Sequence, residues 1–342
     1  MAWLRGRCVL LGVFAVSLLG VVWLGVRGNF TPPASASEES ASKAVAVTID
    51  DLPGAVPGTG NSVGSLKDLQ RINSLIPQIL NAHHAPAIGF VNEWKLQVPR
   101  ERDARIALLQ SWIDAGLPLG NHGYHHENFW KTPLSEYEDD VIRGEVVTRV
   151  LMKAAGREEN YFRHPFLATG PTSQAKAAFE AFLTERGYRV APVTIDNADW
   201  QFNDVVAGAI EKQDEGLASK VRQAYLAYMT ASFDYYEGVS RSLFHRDIAQ
   251  ILLIHDSELE AECLDQLLTS LERRGYRFVT LDQALADPAY KTPDLFIGDE
   301  GCSWLIRWKL AFGQKADCES EPDPPSWVMK ASDEIRRANQ KQ

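Results

Sequence analysis

From residue 44 onward, short apolar runs alternate with longer segments in which apolar residues recur at helical spacing. The short runs are rich in β-branched and aromatic residues, which favour strands. We predict strands at residues 44–49, 87–91, 117–119, 161–162, 188–195, 251–254 and 276–281. Strands that alternate with helices indicate a parallel sheet or barrel with helices outside it, so the predicted fold class is α/β.

The longer segments predict helices at residues 66–80, 106–113, 135–155, 173–186 and 259–274. Pro77 should kink or split the first helix, because proline removes a backbone donor and clashes with the preceding turn. Gly116 and Gly187 can end the second and fourth helices. Ser135 and Glu138 have the spacing of a capping box at the start of the third helix.

The N-terminus has the pattern of a targeting segment. Arg5 and Arg7 precede an unbroken apolar run at residues 8–26, close to the roughly 20 residues that span a bilayer. Residues 1–30 are therefore interpreted as a signal peptide or a signal anchor, with the anchor favoured, and a buried core helix is the alternative. Because the basic residues come first, the rest of the chain should lie outside the cytoplasm, periplasmic or extracellular, and the segment should engage the membrane at least during export.

The remaining chain divides by composition. Residues 31–43 are rich in Pro, Ser, Ala and Glu, which is typical of a flexible linker. Residues 44–290 contain the alternating strands and helices, with a helix-rich stretch at about 201–247. Residues 291–342 form a C-terminal extension to which the sequence assigns no role.

Charge and cysteine content narrow the possibilities. A formal net charge of −10 argues against a nucleic-acid partner, because phosphate binding needs clustered Lys and Arg. Cys8 lies in the targeting segment, Cys302 and Cys318 could pair in an oxidising compartment, and Cys263 would be left over in a helix. The sequence has no C-x-x-C pair, so cysteine-ligated zinc is not expected.

Polar residues follow the predicted strands, where active sites of parallel α/β proteins lie. Asp50 and Asp51 come directly after the first strand, and neighbouring residues there point in different directions, although a solvated turn is the alternative. His122 and His126 have an i, i+4 spacing that, on one helical turn, would present both imidazoles to one divalent ion. Asp51 could supply a third ligand, His125 competes with His126, and ordinary surface histidines remain an alternative.

Three further positions follow later strands. Arg163 could hold an ionised Asp50, since guanidinium groups pair with carboxylates, or could be a surface residue. Asp199 and Trp200 could present a carboxylate and an aromatic face to a sugar ring, or could be a helix cap beside a core tryptophan. His255 could protonate a leaving group, because its ordinary pKa is about 6.5, or could be structural.

Taken in order, these five elements resemble the five motifs of the NodB-homology polysaccharide deacetylases, carbohydrate esterase family four. The resemblance covers residues 45–285, and its first three motifs are the more specific ones. The five motifs are Thr48-Ile49-Asp50-Asp51-Leu52-Pro53, His122 to His126, Arg163-His164-Pro165-Phe166, Asp199-Trp200 and Leu253-Ile254-His255.

The resemblance implies a deformed (β/α) barrel of about seven strands that holds one divalent metal ion, Zn²⁺ or a similar ion. It implies that Asp51, His122 and His126 bind the metal. Asp50 would be the catalytic base and His255 the catalytic acid. The supporting roles implied are that Arg163 orients Asp50, Asp199 supports His255 or Arg163, the backbone N–H of Phe166 binds the oxyanion, and Trp200 contacts substrate.

The implied function is removal of N-acetyl groups, or of O-acetyl groups, from an acetylated amino-sugar polymer or oligomer. Leu52 replaces the family's usual glycine, and Gly123 stands where Ser or Thr is common. These departures keep two alternatives open: a related amidohydrolase acting on a small C–N substrate, and an inactive envelope glycan-binding homologue. The helix-rich stretch could wall the substrate groove, and the tryptophans of the C-terminal extension should serve helix packing rather than form a sugar platform.

Overall fold

The computed structural model describes residues 43–55, 57 and 63–339. The targeting segment and all but the last residue of the predicted linker lie outside these residues. Lys43, assigned to the linker from sequence, is the first residue of a strand instead. Within the described part, no helix combines the length and the apolarity that crossing a membrane requires.

Seven strands form one parallel sheet in this part of the chain. They are β1 (Lys43–Leu52), β2 (Ala87–Val91), β3 (Leu119–Asn121), β4 (Tyr161–Phe162), β5 (Arg189–Val190), β6 (Gln250–His255) and β7 (Tyr276–Phe278). Their order is β5-β4-β3-β2-β1-β6, and β7 pairs with the start of β1. Val45 pairs with both Gln250 and Phe278, so β7 and β6 lie on opposite sides of β1.

The segment that follows β5 closes the sheet into a deformed barrel. The Ala191 N–H donates to the carbonyl of Phe162 in β4, at 2.8 Å. Four residues later, Ile195 forms a parallel bridge with Leu252 in β6. One segment therefore reaches both edges of the sheet, and the predicted barrel of about seven strands is confirmed.

The alternation of side chains along β1 separates the interior of the barrel from the layer beneath the helices. Val45, Val47 and Ile49 belong to the large outer core. Ala44 and Ala46 belong to a smaller inner cluster that includes Leu281 and Ala284. By the same alternation, Thr48 and Asp50 continue the inner face toward the carboxyl end of the strand.

The helices surround this barrel. They are α1 (Leu66–Ala82), α2 (Arg102–Asp114), α3 (Leu134–Arg143), α4 (Thr148–Ala154), α5 (Ser173–Glu185), α6 (Asp199–Glu211), α7 (Glu215–Phe244), α8 (Glu258–Arg273), α9 (Leu281–Leu285), α10 (Trp304–Trp308) and α11 (Ser326–Asn339). The helix-rich stretch predicted from sequence corresponds to α6 and α7.

Two helix predictions differ from the observed elements. Pro77 does not split the first helix, because α1 is one continuous helix from Leu66 to Ala82. The helix predicted at 135–155 is two helices, and α3 is preceded by Pro133 with no side-chain cap rather than by a capping box. The break occurs at Gly144, where an added Cβ would lie 2.7 Å from the carbonyl carbon of Gly123. The close approach of two backbones therefore ends α3 at this point.

Several strand boundaries also differ from the sequence-based ones. β1 extends to Leu52, so Asp50 and Asp51 are part of its end rather than of a following turn. β3 begins at Leu119, two residues late, and places His122 directly after the strand. The strand predicted at 188–195 is only two residues long apart from the bridge at Ile195, because this segment leaves one neighbour to reach another.

The C-terminal extension packs onto the barrel. Cys302 and Cys318 form a disulfide, while Cys263 is free and buried in α8. Trp304 and Trp308 are buried, which confirms the prediction that they serve packing.

Candidate active site

A pocket of about 460 Å³ opens at the carboxyl ends of the strands. It combines the end of β1, the loops after β3 and β4, the start of α6, the end of β6 and parts of the C-terminal extension. Seven of the nine predicted site residues line it: Asp50, Asp51, His122, His126, Phe166, Trp200 and His255. Arg163 and Asp199 are fully buried behind it.

The end of β1 separates two neighbouring carboxylates. Asp50 is 2% exposed and points into the barrel. Asp51 adopts a left-handed backbone conformation, with φ of 73°, and the pairing of β1 with β2 is irregular between Ile49 and Leu52. Because of this irregularity, the Asp51 side chain turns toward the loop after β3 instead of following the regular alternation.

Asp51, His122 and His126 form a three-ligand cluster. One potential ligand atom from each lies within 4.8 Å of the other two. The Oδ1 atom of Asp51 is 3.8 Å from Nε2 of His122 and 3.7 Å from Nε2 of His126. Distances of this size leave room for an ion between the three side chains.

The prediction of a helical turn between His122 and His126 is wrong, because residues 122–128 form an irregular loop. Positive φ angles at Gly123 (74°) and His126 (62°) bring the second imidazole back beside the first. Asp140 anchors the loop by accepting hydrogen bonds from the backbone N–H groups of Tyr124 and His125, at 2.8 and 2.9 Å. The two histidines therefore converge through loop geometry rather than through helical periodicity.

The protonation of the cluster suits a divalent cation. A carbonyl can only accept a hydrogen bond, so Nδ1 of His122, 2.8 Å from the Arg163 carbonyl, carries the hydrogen and leaves the Nε2 lone pair toward Asp51. Burial lowers the pKa of His122 and that of His126 to about 3, which keeps both rings neutral. Oδ1 of Asp51 is buried and has no hydrogen-bond partner among the residues that the structure covers. An orphaned carboxylate oxygen facing two neutral imidazoles fits a metal site.

His125 is not part of this cluster. Its side chain is 43% exposed, and its Nδ1 lies 3.5 Å from Oδ1 of Asp140. Of the two candidates, His126 and not His125 lies beside Asp51 and His122.

Asp50 is held by a buried arginine. Nη1 of Arg163 donates to both carboxylate oxygens of Asp50, at 3.1 and 3.0 Å. The other arms of Arg163 donate to Oγ1 of Thr48 and to the Ala191 carbonyl, each at 2.9 Å, so the guanidinium is fixed on three sides. Burial raises the pKa of Asp50, and the nearby Arg163 opposes that rise.

His255 is held by the first residue of α6. Its Nδ1 lies 2.7 Å from Oδ1 of Asp199, and its backbone N–H donates to Oδ2 of the same carboxylate at 2.8 Å. Burial by itself would lower the pKa of His255, but the carboxylates of Asp199, Asp51 and Asp50 together outweigh burial and raise that pKa to about 10. The ring is therefore cationic at neutral pH, with Nε2–H available as a proton donor.

The loop after β4 carries two left-handed residues in succession. Phe166 and Leu167 have φ of 56° and 51°, a conformation that non-glycine residues rarely adopt. The Phe166 side chain is 47% exposed, and its ring centroid lies 4.6 Å from that of His126. Trp200 lines another part of the pocket, with the guanidinium of Arg336 from α11 4.1 Å from its ring centroid.

Lys95 was missed by the sequence analysis. It is 5% exposed, its Nζ donates to the Asp51 carbonyl at 2.8 Å, and the same atom lies 3.5 Å from Oδ1 of Asp51. Burial favours a neutral Asp51, but the adjacent Lys95 ammonium holds the pKa of its carboxyl group well below the ordinary value. Lys95 lies four residues after the end of β2, so the rule applied to the other strands could have found it.

Comparisons with known proteins agree with the motifs. Residues 37–182 match the family model for polysaccharide deacetylases, a range that includes the first three motifs. The peptidoglycan-N-acetylmuramic acid deacetylase PdaA of Bacillus subtilis is 21% identical over 193 residues, which cover 55% of this chain. The match spans only 59% of the length of that relative.

Among solved structures, the peptidoglycan deacetylase PdaC of Bacillus subtilis is 18% identical, with a TM-score of 0.43, and the match covers 71% of this chain and 90% of PdaC. A family 4 carbohydrate esterase from Streptomyces lividans is 17% identical, with a TM-score of 0.41 and coverage of 71% and 95%. Residues 37–182 of this chain are therefore similar to the polysaccharide deacetylase family, in agreement with the resemblance of its motifs.

Proposed function

We propose that this protein is a metal-dependent deacetylase that hydrolyses the acetamido groups of an amino-sugar polymer or oligomer in the cell envelope. The single observation that carries the proposal is the convergence of Asp51, His122 and His126 in a pocket that also contains Asp50 and His255. The family match supports the reaction class. The name of the Bacillus subtilis relative supports peptidoglycan as the substrate class.

We propose Zn²⁺ as the ion, held by Asp51, His122 and His126. Two imidazoles and one carboxylate are a common ligand set of catalytic zinc sites, which keep a further position open. A divalent ion there would supply Lewis acidity, which polarises a carbonyl group and acidifies a water molecule. Lys95 keeps Asp51 ionised and fixes its backbone, so it would maintain a ligand in the charged form.

Asp50 would act as the general base. Its carboxylate would accept a proton from the water that attacks the amide carbonyl carbon, and Arg163 would hold the carboxylate in position. The raised pKa of Asp50 suits this role, because a base is most effective when its pKa approaches the working pH. The Phe166 backbone N–H would donate a hydrogen bond to the oxyanion, a contact that in other enzymes contributes about 2.7–4 kcal/mol.

His255 would act as the general acid. Its cationic ring would donate the Nε2 proton to the amide nitrogen as the C–N bond breaks, which yields acetate and a free amine. Asp199 would keep the ring oriented and charged through the Nδ1 contact. Because the acid and the base are held by different partners, Asp199 and Arg163, their protonation states can be opposite at the same pH.

We also propose that residues 1–30 direct the protein out of the cytoplasm and that it acts at the cell envelope. Peptidoglycan, the substrate class in the name of the relative, is an envelope polymer. The cleavage or retention of the segment can be followed by comparing the mass of the protein from the cell envelope with that of the full chain.

The function is tested by acetate release from N-acetylglucosamine oligomers, purified peptidoglycan and acetylxylan. The full chain would be assayed with bound Zn²⁺ and after chelation. Asp50→Asn should lower acetate release by about 10²–10⁴-fold, the range expected for loss of a general base, while zinc stoichiometry remains at one. Asp139→Asn, on the exposed face of α3, is the control and should retain wild-type activity.

Three results would contradict the proposal. Zinc binding without acetate release from any of the three polymers would favour a small C–N substrate or an inactive glycan-binding protein. Full activity of Asp50→Asn would remove the proposed base. Release from acetylxylan alone would change the substrate from an N-acetyl to an O-acetyl polymer.

A further inference from the structure

The conformation of the loop after β4 is maintained by residues distant in sequence. Phe166 and Leu167 both occupy the left-handed region, and such strained positions persist only where surrounding contacts hold them. The function proposed above makes the direction of the Phe166 N–H important. The contacts that hold this loop therefore bear on catalysis.

Two hydrogen bonds from the C-terminal extension reach the loop. The Gly301 N–H donates to the Phe166 carbonyl at 2.9 Å, and Nη2 of Arg307 donates to the Leu167 carbonyl at 2.5 Å. Each left-handed residue thus has its carbonyl held by a donor more than 130 positions later in the chain. The two peptide planes that follow Phe166 and Leu167 are fixed by these contacts.

Burial and several contacts restrain the Arg307 side chain that donates this hydrogen bond. It is fully buried, its Nε donates to the Cys302 carbonyl at 2.7 Å, and its Nη1 lies 3.4 Å from Oδ2 of Asp294. Its guanidinium also stacks on Trp304, 3.8 Å from the ring centroid. The extension therefore supplies the partners of Nε, of Nη1 and of the guanidinium face, and Nη2 donates to the Leu167 carbonyl.

Gly301 allows the two backbones to meet. An added Cβ would lie 2.2 Å from the Leu167 carbonyl oxygen and 1.9 Å from Nη2 of Arg307. A side chain at this position would overlap both the Leu167 backbone and the Arg307 guanidinium. The same segment is docked on the barrel, because the Trp304 N–H donates to the Val193 carbonyl at 2.7 Å and Oγ of Ser303 donates to the Thr194 carbonyl at 2.8 Å.

We infer that the C-terminal extension is a working part of the active site, in which Arg307 and Gly301 are positioning residues for the oxyanion-binding loop at Phe166 and Leu167. This inference rests on the proposed deacetylase function. The extension holds the loop conformation that directs the Phe166 N–H, and the disulfide between Cys302 and Cys318 ties the supporting segment to itself.

The test uses the full, zinc-loaded chain and the variants Arg307→Met, Arg307→Lys and Gly301→Ala. Hydrogen exchange of the backbone amides at 164–169 is measured together with kcat and KM for acetate release from N-acetylglucosamine oligomers. Arg307→Met should accelerate exchange in this loop and lower kcat by about 10–100-fold, up to the loss of one oxyanion donor. KM and zinc stoichiometry should not change, and Arg307→Lys should recover part of kcat, because an ammonium can still donate to the Leu167 carbonyl.

Gly301→Ala should act in the same direction, since it separates the two backbones without removing a charge. Gly238→Ala is the matched control, because it lies within α7 and nothing is within 4 Å of an added Cβ. It should leave exchange at 164–169 and kcat unchanged. Melting curves of all variants identify any that fail to fold. If Arg307→Met fails to fold, Gly301→Ala still tests the inference.

The inference is overturned if the folded Arg307→Met and Gly301→Ala variants retain wild-type kcat, whatever their exchange rates. It is also overturned if kcat falls while exchange at 164–169 stays as in the wild type. An inactive wild-type protein is a different result, which removes the proposed function and with it the oxyanion role of the loop.

Discussion

The two sides of the pocket are built in different ways. On one side, Asp50 and His255 sit at the ends of the paired strands β1 and β6, opposite each other in the register. On the other side, the Phe166 loop and α6 are bordered by the C-terminal extension, whose Arg336 side chain remains 36% exposed. The sheet ladder positions the proposed base and acid, whereas long-range contacts between loops position the groups that we propose surround the substrate. We therefore expect losses on the first side to abolish the reaction and losses on the second side to alter its rate or its substrate range.

The largest effect should come from removing a ligand of the proposed ion. His126→Ala would leave Asp51 and His122 as the only two ligands, and we expect acetate release to fall by more than about 10³-fold as Lewis acidity is lost. Zinc affinity, measured by isothermal titration calorimetry, should fall in parallel.

His125→Ala is the matched control for this prediction. It removes the neighbouring imidazole, which faces Asp140 and solvent, and should leave both zinc affinity and activity near wild type. If His125→Ala lost zinc and His126→Ala did not, the assignment of the ligands would have to be exchanged.

The next effect concerns the proton donor. Asp199→Asn should allow the pKa of His255 to fall from about 10 toward its ordinary value of 6.5. Since the acid must be protonated, activity is lost as the pH rises through this pKa. The alkaline limb of kcat/KM should therefore move toward neutral pH, with a loss on the order of 10²-fold at pH 9.

The same pair gives a second readout with a defined sign. A histidine whose pKa is raised in the folded state stabilises the protein fully below the unfolded value, near 6.5, and loses that contribution as the pH rises through about 10. Urea unfolding of wild type and Asp199→Asn should show the largest difference in the free energy of unfolding at pH 6 and a smaller one at pH 10. An unchanged alkaline limb in Asp199→Asn would show that His255 is not the titrating acid.

The two sides of the pocket also differ in how far their residues could be predicted from the sequence. Asp50 and His255 were found because each comes at the end of an apolar strand, and parallel strands bring their carboxyl ends together. The pairing of His122 with His126 was predicted for the wrong reason, since Gly123 and His126 adopt positive φ angles that no helical pattern contains. The motif spacing was sufficient even though the local structure was not the predicted one.

The role of the C-terminal extension could not be read in the same way. Gly301 contacts the Phe166 loop across 135 positions, and nothing in the residues around Gly301 indicates which backbone it approaches. The sequence neighbours of Arg307 likewise do not indicate which carbonyl groups it contacts. Contacts of this kind depend on the closure of the barrel, in which the segment after β5 pairs with β6. They therefore cannot be predicted from local sequence patterns.

A smaller effect should follow from releasing the extension. Replacing Cys302 and Cys318 together by Ser removes a cross-link between residues 16 positions apart. Loop-closure entropy predicts a loss of about 3 kcal/mol in the free energy of unfolding. Thermal and urea unfolding measure the loss, and kcat should fall more than zinc affinity, because the proposed ligands all lie outside the extension. Equal losses of kcat and of zinc affinity would mean that the two sides of the pocket are not independent.

The smallest effect should come from the aromatic surface at the start of α6. Trp200→Ala removes a ring that lines the pocket, and we expect KM for N-acetylglucosamine oligomers to rise by about 5–10-fold, equivalent to roughly 1 kcal/mol of binding. The kcat value should change little, because Trp200 is not among the groups proposed to take part in the chemical step. Trp200→Phe should retain most of the affinity, since a flat face remains, whereas Trp130→Ala removes a ring that is 40% exposed outside this pocket and should leave KM unchanged. A fall in kcat with constant KM would instead place Trp200 with the reacting groups, and the division between the two sides of the pocket would have to be redrawn.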